Sequence, residues 1–157
     1  MIQILSDIMR DDECSEFIDF YYANIDKKIN INSDNVYHFD GVNLMDNIND
    51  FKFLKRIGLL KIDIDRIRVQ HVNKDTNILE KFHQDKEPYT FIIFLNENFD
   101  GGELIYENIT VKPKKKQLLY TTGNEWHYVK KVNSGERFTL VCFLRKDFNF
   151  KKIQNLI

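Results

Sequence analysis

From Leu59 onward the apolar residues recur at every second position, and no other feature limits the fold as strongly. Leu60, Ile62 and Ile64 alternate with Lys61, Asp63 and Asp65. Ile67, Val69 and His71 then alternate with Arg66, Arg68 and Gln70. On an extended chain residues two apart share a face, so each run predicts a strand with one apolar side. The phase slips between Ile64 and Ile67, which predicts a bulge. Further strands are predicted over Thr90–Asn96, Glu103–Glu107, Ile109–Lys112, Gln117–Thr121, His127–Val132 and Arg137–Arg145. Turn chemistry separates them at Gly101-Gly102, at Gly123 and at Asn133–Gly135.

The first third has a different period. In Asp11–Ile25 the residues Cys14, Phe17, Ile18, Tyr21, Tyr22 and Ile25 fall at three- and four-residue steps, which predicts a helix capped by Asp11 or Asp12. A polar connection follows over Lys27–Asn35. A second helix is predicted over Asp46–Ile57, with Gly58 ending it. Helices gathered before many short strands predict a mainly β fold, a sandwich or barrel backed by N-terminal helices. The expected layout is one domain over 1–157, with helical support in 1–58 and the strand core in 59–157.

Composition narrows the function classes. The 157 residues carry a net charge of −1, which excludes a generally basic nucleic-acid binder. Hydrophobic residues make up 43%, with 13 Phe and 7 Tyr, enough to fill a core. No apolar run approaches the roughly 20 residues of a membrane span. The opening MIQILSDIMRDDE lacks the pattern of a cleaved signal, so a cytoplasmic setting is expected. Cys14 and Cys142 form no CxxC pair, which argues against a disulfide framework or a thiolate zinc site. Only 4 histidines occur, so a metal enzyme would have to use most of them.

His83 and Asp85 form an H-x-D pair just before the Thr90–Asn96 strand, and His127 begins a later one. Two imidazoles and one carboxylate can take one face of a six-coordinate metal and leave three positions open. That set suits non-haem Fe(II), whose open positions accept a bidentate cosubstrate and O₂. Arg137 follows, with Thr139 two residues on and on the same strand face. A guanidinium fork fits a carboxylate, and the hydroxyl can add a hydrogen bond. A dicarboxylate 2-oxo acid would satisfy both ends.

The ordered set His83-Gln84-Asp85, Thr90-Phe-Ile-Ile-Phe-Leu-Asn96, Gly101-Gly102-Glu103-Leu104, Val111-Lys-Pro113, His127 and Arg137-Phe-Thr139 resembles the Fe(II)/2-oxoglutarate-dependent dioxygenases, in their prolyl 4-hydroxylase-like branch. It covers about half the chain. The resemblance implies a double-stranded β-helix, the cupin-like jelly roll. It implies conversion of 2-oxoglutarate and O₂ to succinate and CO₂ with hydroxylation of a peptide or protein side chain, proline first. It also implies His83, Asp85 and His127 as iron ligands and Arg137 and Thr139 as cosubstrate contacts, with ascorbate as a candidate reductant. Where the family offers a Tyr before H-x-D, His71 is the nearest equivalent. Phe94 stands where a second Tyr is common, Lys114-Lys115-Lys116 follow Pro113 in place of Gly, and Phe143 stands for a late Trp.

Other readings stay open on the sequence. Arg137 could form a structural ion pair with Glu103 or Glu125, and His71 could be an ordinary strand histidine. The same core serves nucleic-acid demethylases; Arg145 is suggestive of these, but the Asn of their motif is missing. A non-catalytic metal- or oxo-acid-binding module is the third class. Lys112, Lys114, Lys115 and Lys116 with Lys130 and Lys131 read as a solvated face or as a landing surface for an acidic protein or nucleic acid. His38 has no partner pattern.

Overall fold

The computed structural model describes residues 1–33 and 37–156, and side chains outside 31–38, so that of His38 lies outside the described set. In chain order the strands and helices are β1 (Ile2–Leu5), α1 (Asp11–Ala23), β2 (Ile29–Ser33), β3 (Tyr37–Asn43), α2 (Lys52–Arg56), β4 (Ile64–Val72) and β5 (Tyr89–Phe94). Then come β6 (Asp100–Gly101), β7 (Leu104–Tyr106), β8 (Thr110–Val111), β9 (Leu118–Thr122), β10 (His127–Val129), β11 (Val132–Ser134), β12 (Arg137–Leu144) and α3 (Lys151–Gln154). A seven-stranded antiparallel sheet runs β1-β9-β5-β12-β4-β3-β2. A three-stranded sheet, β10-β7-β8, and the pair β11-β6 complete the strand set.

Alternation along the central strands makes two apolar layers. Phe91, Ile93, Leu140 and Cys142 pack on one side with Phe17, Tyr21, Phe53 and Leu54 of the helical segment. On the other side Phe94 and Leu119 pack against Leu104, Tyr106 and Val111 of the small sheet. Two sheets closed over a core, with helices behind the larger one, make the expected jelly roll.

The slip foreseen near Ile64 is a bulge: Phe143 pairs with Arg66 and Leu144 with Ile64, leaving Asp65 unpaired on β4. Several expectations change. Leu60–Ile64 is not strand at its start, because a 3₁₀ turn over Lys61–Asp63 leaves Ile62 81% exposed. The second helix divides into a 3₁₀ segment, Met45–Asp50, and α2. Between them Phe51 is extended and stacks on Phe17 with ring centroids 4.4 Å apart, a tertiary contact that overrides the helical period. The His127–Val132 strand is two, β10 on β7 and β11 on β6. Most important, the 1–58 segment is not only helical. It supplies both edges of the large sheet through β1, β2 and β3. The polar connection expected over Lys27–Asn35 is strand through Ser33, and its remainder reaches into 34–36, outside the described residues.

Helix α1 starts at Asp11 as expected, but Arg10 rather than Asp11 or Asp12 is the N-cap, and Asp11, Asp12 and Glu13 sit in the first turn, where the helix dipole favours carboxylates. Glu13 is fully buried, accepts from the Arg10 amide at 2.8 Å, and pairs with Arg56 of α2. Gly58 ends the helical segment at φ +67°, a conformation that favours glycine. Lys115 and Lys116 both reach Asp11, at 3.0 and 3.1 Å, and tie the basic run to α1.

Candidate active site

The cavity between the sheets is built by strand alternation. Arg137, Thr139, Val141 and Phe143 of β12 face it, while their neighbours Phe138, Leu140 and Cys142 face the helices. β4 contributes Gln70 and Val72, β5 contributes Thr90 and Ile92, and β10 contributes His127 and Val129. The space is about 550 Å³, counting its open mouth.

His83 and His127 are joined by backbone. Each amide donates to the other's carbonyl at 2.9 Å in a lone antiparallel bridge, which sets the rings 4.4 Å apart between centroids. Asp85 lies on the same side, two residues along, and its Oδ1 is 3.5 Å from His127 Nε2. One ligand atom from each of the three residues lies within 4.8 Å of the others, the only such His, Cys or carboxylate group among the described residues.

The donor chemistry fits iron. His127 Nδ1 lies 2.8 Å from the Glu125 carbonyl, which can only accept. Nδ1 therefore carries a proton, which leaves Nε2, on the Asp85 side, as the ring atom that can bind a metal. His83 Nδ1 lies 3.4 Å from the Lys81 carbonyl in the same sense. The Thr90 hydroxyl donates to Asp85 Oδ2 at 2.8 Å, away from the oxygen that faces His127. Two imidazole nitrogens and one carboxylate oxygen, each ordered by an outer contact, make a three-point site for a divalent metal with further positions open. The divergence of these groups that a non-catalytic module would show is not seen.

Arg137 is 3% exposed, and its Nε–H donates to the Gly102 carbonyl at 3.0 Å, with Phe94 beneath the guanidinium at 5.5 Å. Gly102 has φ +72°, and a Cβ there would come within 2.8 Å of Arg137 Cδ. A buried guanidinium needs an anion to offset its desolvation. Glu125, one of the two carboxylates that the sequence left open for it, is taken up by the N-terminal amine. Thr139, fully buried, has a hydroxyl with no hydrogen-bond partner. A polar atom in that position costs free energy unless a ligand satisfies it.

The structure does not bring His71 to the cavity. It lies on the helix side of β4, bonded to the Tyr21 hydroxyl at 3.2 Å and to Glu136, and stacked on Phe138 with centroids 4.8 Å apart. Gln70, its neighbour, faces the cavity instead. Arg145 also lies outside the lining: 62% exposed, it pairs with Asp65 at 3.0 Å.

Three contributors escaped the sequence reading. Thr90 orders Asp85. Tyr106 lies opposite His127 in the β7–β10 register, and burial, reinforced by the Asp85 charge, pushes its phenol well above the ordinary range. Gly102 seats Arg137. Thr90 and Gly102 left a trace, one as a hydroxyl at the start of the strand that follows H-x-D, the other as a turn glycine; neither showed its role.

The model of the family described as the 2OG-Fe(II) oxygenase superfamily matches residues 65–145. No curated protein matches the chain. Among solved structures, a Pseudomonas putida prolyl-4-hydroxylase aligns with TM-score 0.66 at 12% identity, over 93% of this chain and 92% of that one. A Trichoplax adhaerens prolyl hydroxylase, in complex with a hypoxia inducible factor oxygen degradation domain peptide fragment, aligns with TM-score 0.68 at 14% identity, over 99% and 86%. The epimerase SnoN from nogalamycin biosynthesis, non-heme and alpha ketoglutarate dependent, aligns with TM-score 0.66 at 12% identity, over 90% and 76%. At such identities the likeness is one of fold. Over half the chain, including all of the cavity lining that β4 to β12 provide, falls within the family match, and the chain belongs to the 2OG-Fe(II) oxygenase superfamily, enzymes that use Fe(II) and 2-oxoglutarate.

Proposed function

We propose that this enzyme hydroxylates a peptide or protein side chain, with proline as the first substrate to try. One observation carries the reading: a single cavity holds the His-Asp-His donor set and, on β12, a buried arginine beside an unsatisfied threonine hydroxyl. In this reading His83, Asp85 and His127 hold Fe(II), and Arg137 and Thr139 hold the far carboxylate of 2-oxoglutarate. Bound iron supplies the O₂ chemistry that couples decarboxylation of 2-oxoglutarate to succinate and CO₂ with transfer of one oxygen atom into a C–H bond.

The chain's own groups do the rest. The Gly102 carbonyl fixes the guanidinium of Arg137, and the Thr139 hydroxyl has its hydrogen to donate to the same anion. Their burial strengthens both contacts, because little water competes there. Val72, Ile78, Val141 and Phe143 give the cavity apolar walls, which suit an aliphatic ring or chain better than a charged group. The prolyl hydroxylase likeness, and the peptide seen with the Trichoplax protein, support a peptide substrate by analogy of fold. Nucleic-acid demethylation loses its one support, since Arg145 is spent on Asp65 outside the cavity.

The test is aerobic turnover with Fe(II), 2-oxoglutarate and ascorbate against proline-containing peptide libraries, read as succinate and as a peptide mass gain of about 16 Da, one oxygen atom. Succinate formation that depends on peptide, with the mass gain on proline, is expected. Formaldehyde release from methylated oligonucleotides, with no peptide modified, would overturn the assignment.

A further inference from the structure

We infer that Thr90 is a positioning residue: its hydroxyl holds one oxygen of Asp85 so that the carboxylate meets the metal through the other oxygen alone. The inference rests on the reading that His83, Asp85 and His127 hold a metal, and it adds what keeps Asp85 to one oxygen.

A carboxylate can bind a metal with one oxygen or two. The difference matters here, because a bidentate cosubstrate and O₂ need three positions, and a six-coordinate ion held by two imidazoles and one oxygen has three to spare. A second carboxylate oxygen would take one of them. In this chain the two oxygens of Asp85 are already distinguished. Oδ1 lies 3.5 Å from His127 Nε2, on the metal side, and Oδ2 accepts the Thr90 hydroxyl at 2.8 Å.

Thr90 is well placed to enforce that choice. It is 2% exposed and sits inside β5, opposite Phe143 of β12 and Thr121 of β9, so the large sheet fixes its backbone on both sides. Its branched side chain has few rotamers available on a strand. On the same side Thr121 is its partner in register, and the Tyr106 ring lies 5.4 Å from that of His127. A hydroxyl held this firmly and donating to a carboxylate forms the stronger kind of hydrogen bond. Turning Asp85 to offer both oxygens would break it.

The experiment uses Mn(II) as the probe, without substrate or turnover. Thr90→Val keeps the shape and removes the donor; Thr90→Ser keeps the donor and removes the methyl group. Mn(II) affinity is measured from the electron paramagnetic resonance of the free ion. Bound water is measured from water-proton relaxation of the loaded protein. For Thr90→Val, loss of one of three water positions is expected, a fall of about one third in the inner-sphere relaxation. Thr90→Ser is expected to match the parent chain. Should the valine variant not fold, Thr90→Ala removes the same donor without adding a methyl group and carries the same expectation. Mn(II) uptake with relaxation unchanged in a folded donor-free variant overturns the role of Thr90 alone. Failure of the parent chain to take up Mn(II) overturns the metal reading itself, and this one with it.

Discussion

His83 and His127 exchange both of their backbone hydrogen bonds, at 2.9 Å each way, across 44 residues of chain. The two imidazoles are thus registered by main chain rather than by side-chain packing, and Asp85 follows at the next position on the same side. Replacing a ligand side chain leaves this bridge in place. Asp85→Ala is expected to fold as the parent does and to lose Fe(II) affinity by at least about a hundredfold, since even outer contacts of a metal site are worth ten- to a hundredfold. Calorimetric titration under anaerobic conditions, with a thermal melt beside it, checks both halves.

Arg137 offers a second measurement. Removing one partner of a buried charge pair costs about 2–5 kcal/mol, so Arg137→Ala is expected to raise the KM for 2-oxoglutarate by about thirtyfold or more. Arg137→Lys keeps the charge but not the two-pronged geometry and is expected to fall between the two. An unchanged KM in the alanine variant would remove the arginine from cosubstrate binding.

His71 is expected to behave in the opposite way. Its contacts with Tyr21, Glu136 and Phe138 tie α1 to the large sheet and do not reach the cavity. His71→Ala is expected to lower unfolding free energy by about 1–3 kcal/mol, and to leave the KM for 2-oxoglutarate where it was. Urea denaturation and steady-state kinetics on the same preparation separate these effects.

Glu13 is fully buried, with Arg56 as its counter-charge and the Arg10 amide as a further donor. Breaking such a pair from one side costs about 3–5 kcal/mol, so Glu13→Ala is expected to lose much of the stability of the helical layer. Chemical denaturation monitored by circular dichroism measures it. Glu13→Ala together with Arg56→Met, which removes both charges, is expected to recover part of the loss.

The cysteines give a prediction about accessibility. Burial pushes the Cys14 thiol up to about 11 despite Lys115 and Lys116, and burial alone raises Cys142. Neither supplies thiolate near neutral pH, so the native chain is expected to resist thiol reagents at about pH 8 and to react at both sites once unfolded. Counting modified thiols against denaturant concentration tests this.

The sequence made the sheet layers and the metal set legible for a shared reason: both are written in residues two apart. The apolar phase of Phe91 and Ile93, or of Leu140 and Cys142, marks which face packs on helices, and His83 and Asp85 obey the same step. What period two cannot supply is which face carries the cavity. His71 is in phase with Ile67 and Val69, and that phase faces the helices; the cavity lies on the phase of Gln70, which reads as the polar side. β1 is short, β2 is Asn-rich and β3 carries Asp40-Gly41 inside it, so none shows a clear period of two, and all three lie toward the margins of the sheet, where pairing decides conformation. Thr90 and Gly102 act on other residues rather than on ligand, and such service leaves almost no mark in one sequence.

Gly102 carries the last consequence. Its carbonyl anchors the Arg137 guanidinium, and its missing side chain is the room that the arginine occupies. Any replacement would crowd that arm, and alanine is expected to do so already. A tolerance map made by substituting every position would therefore rank this glycine with the iron ligands, although it presents no reactive group of its own. The most sensitive positions of such a map would trace two kinds of need, atoms that must be there and a volume that must stay empty.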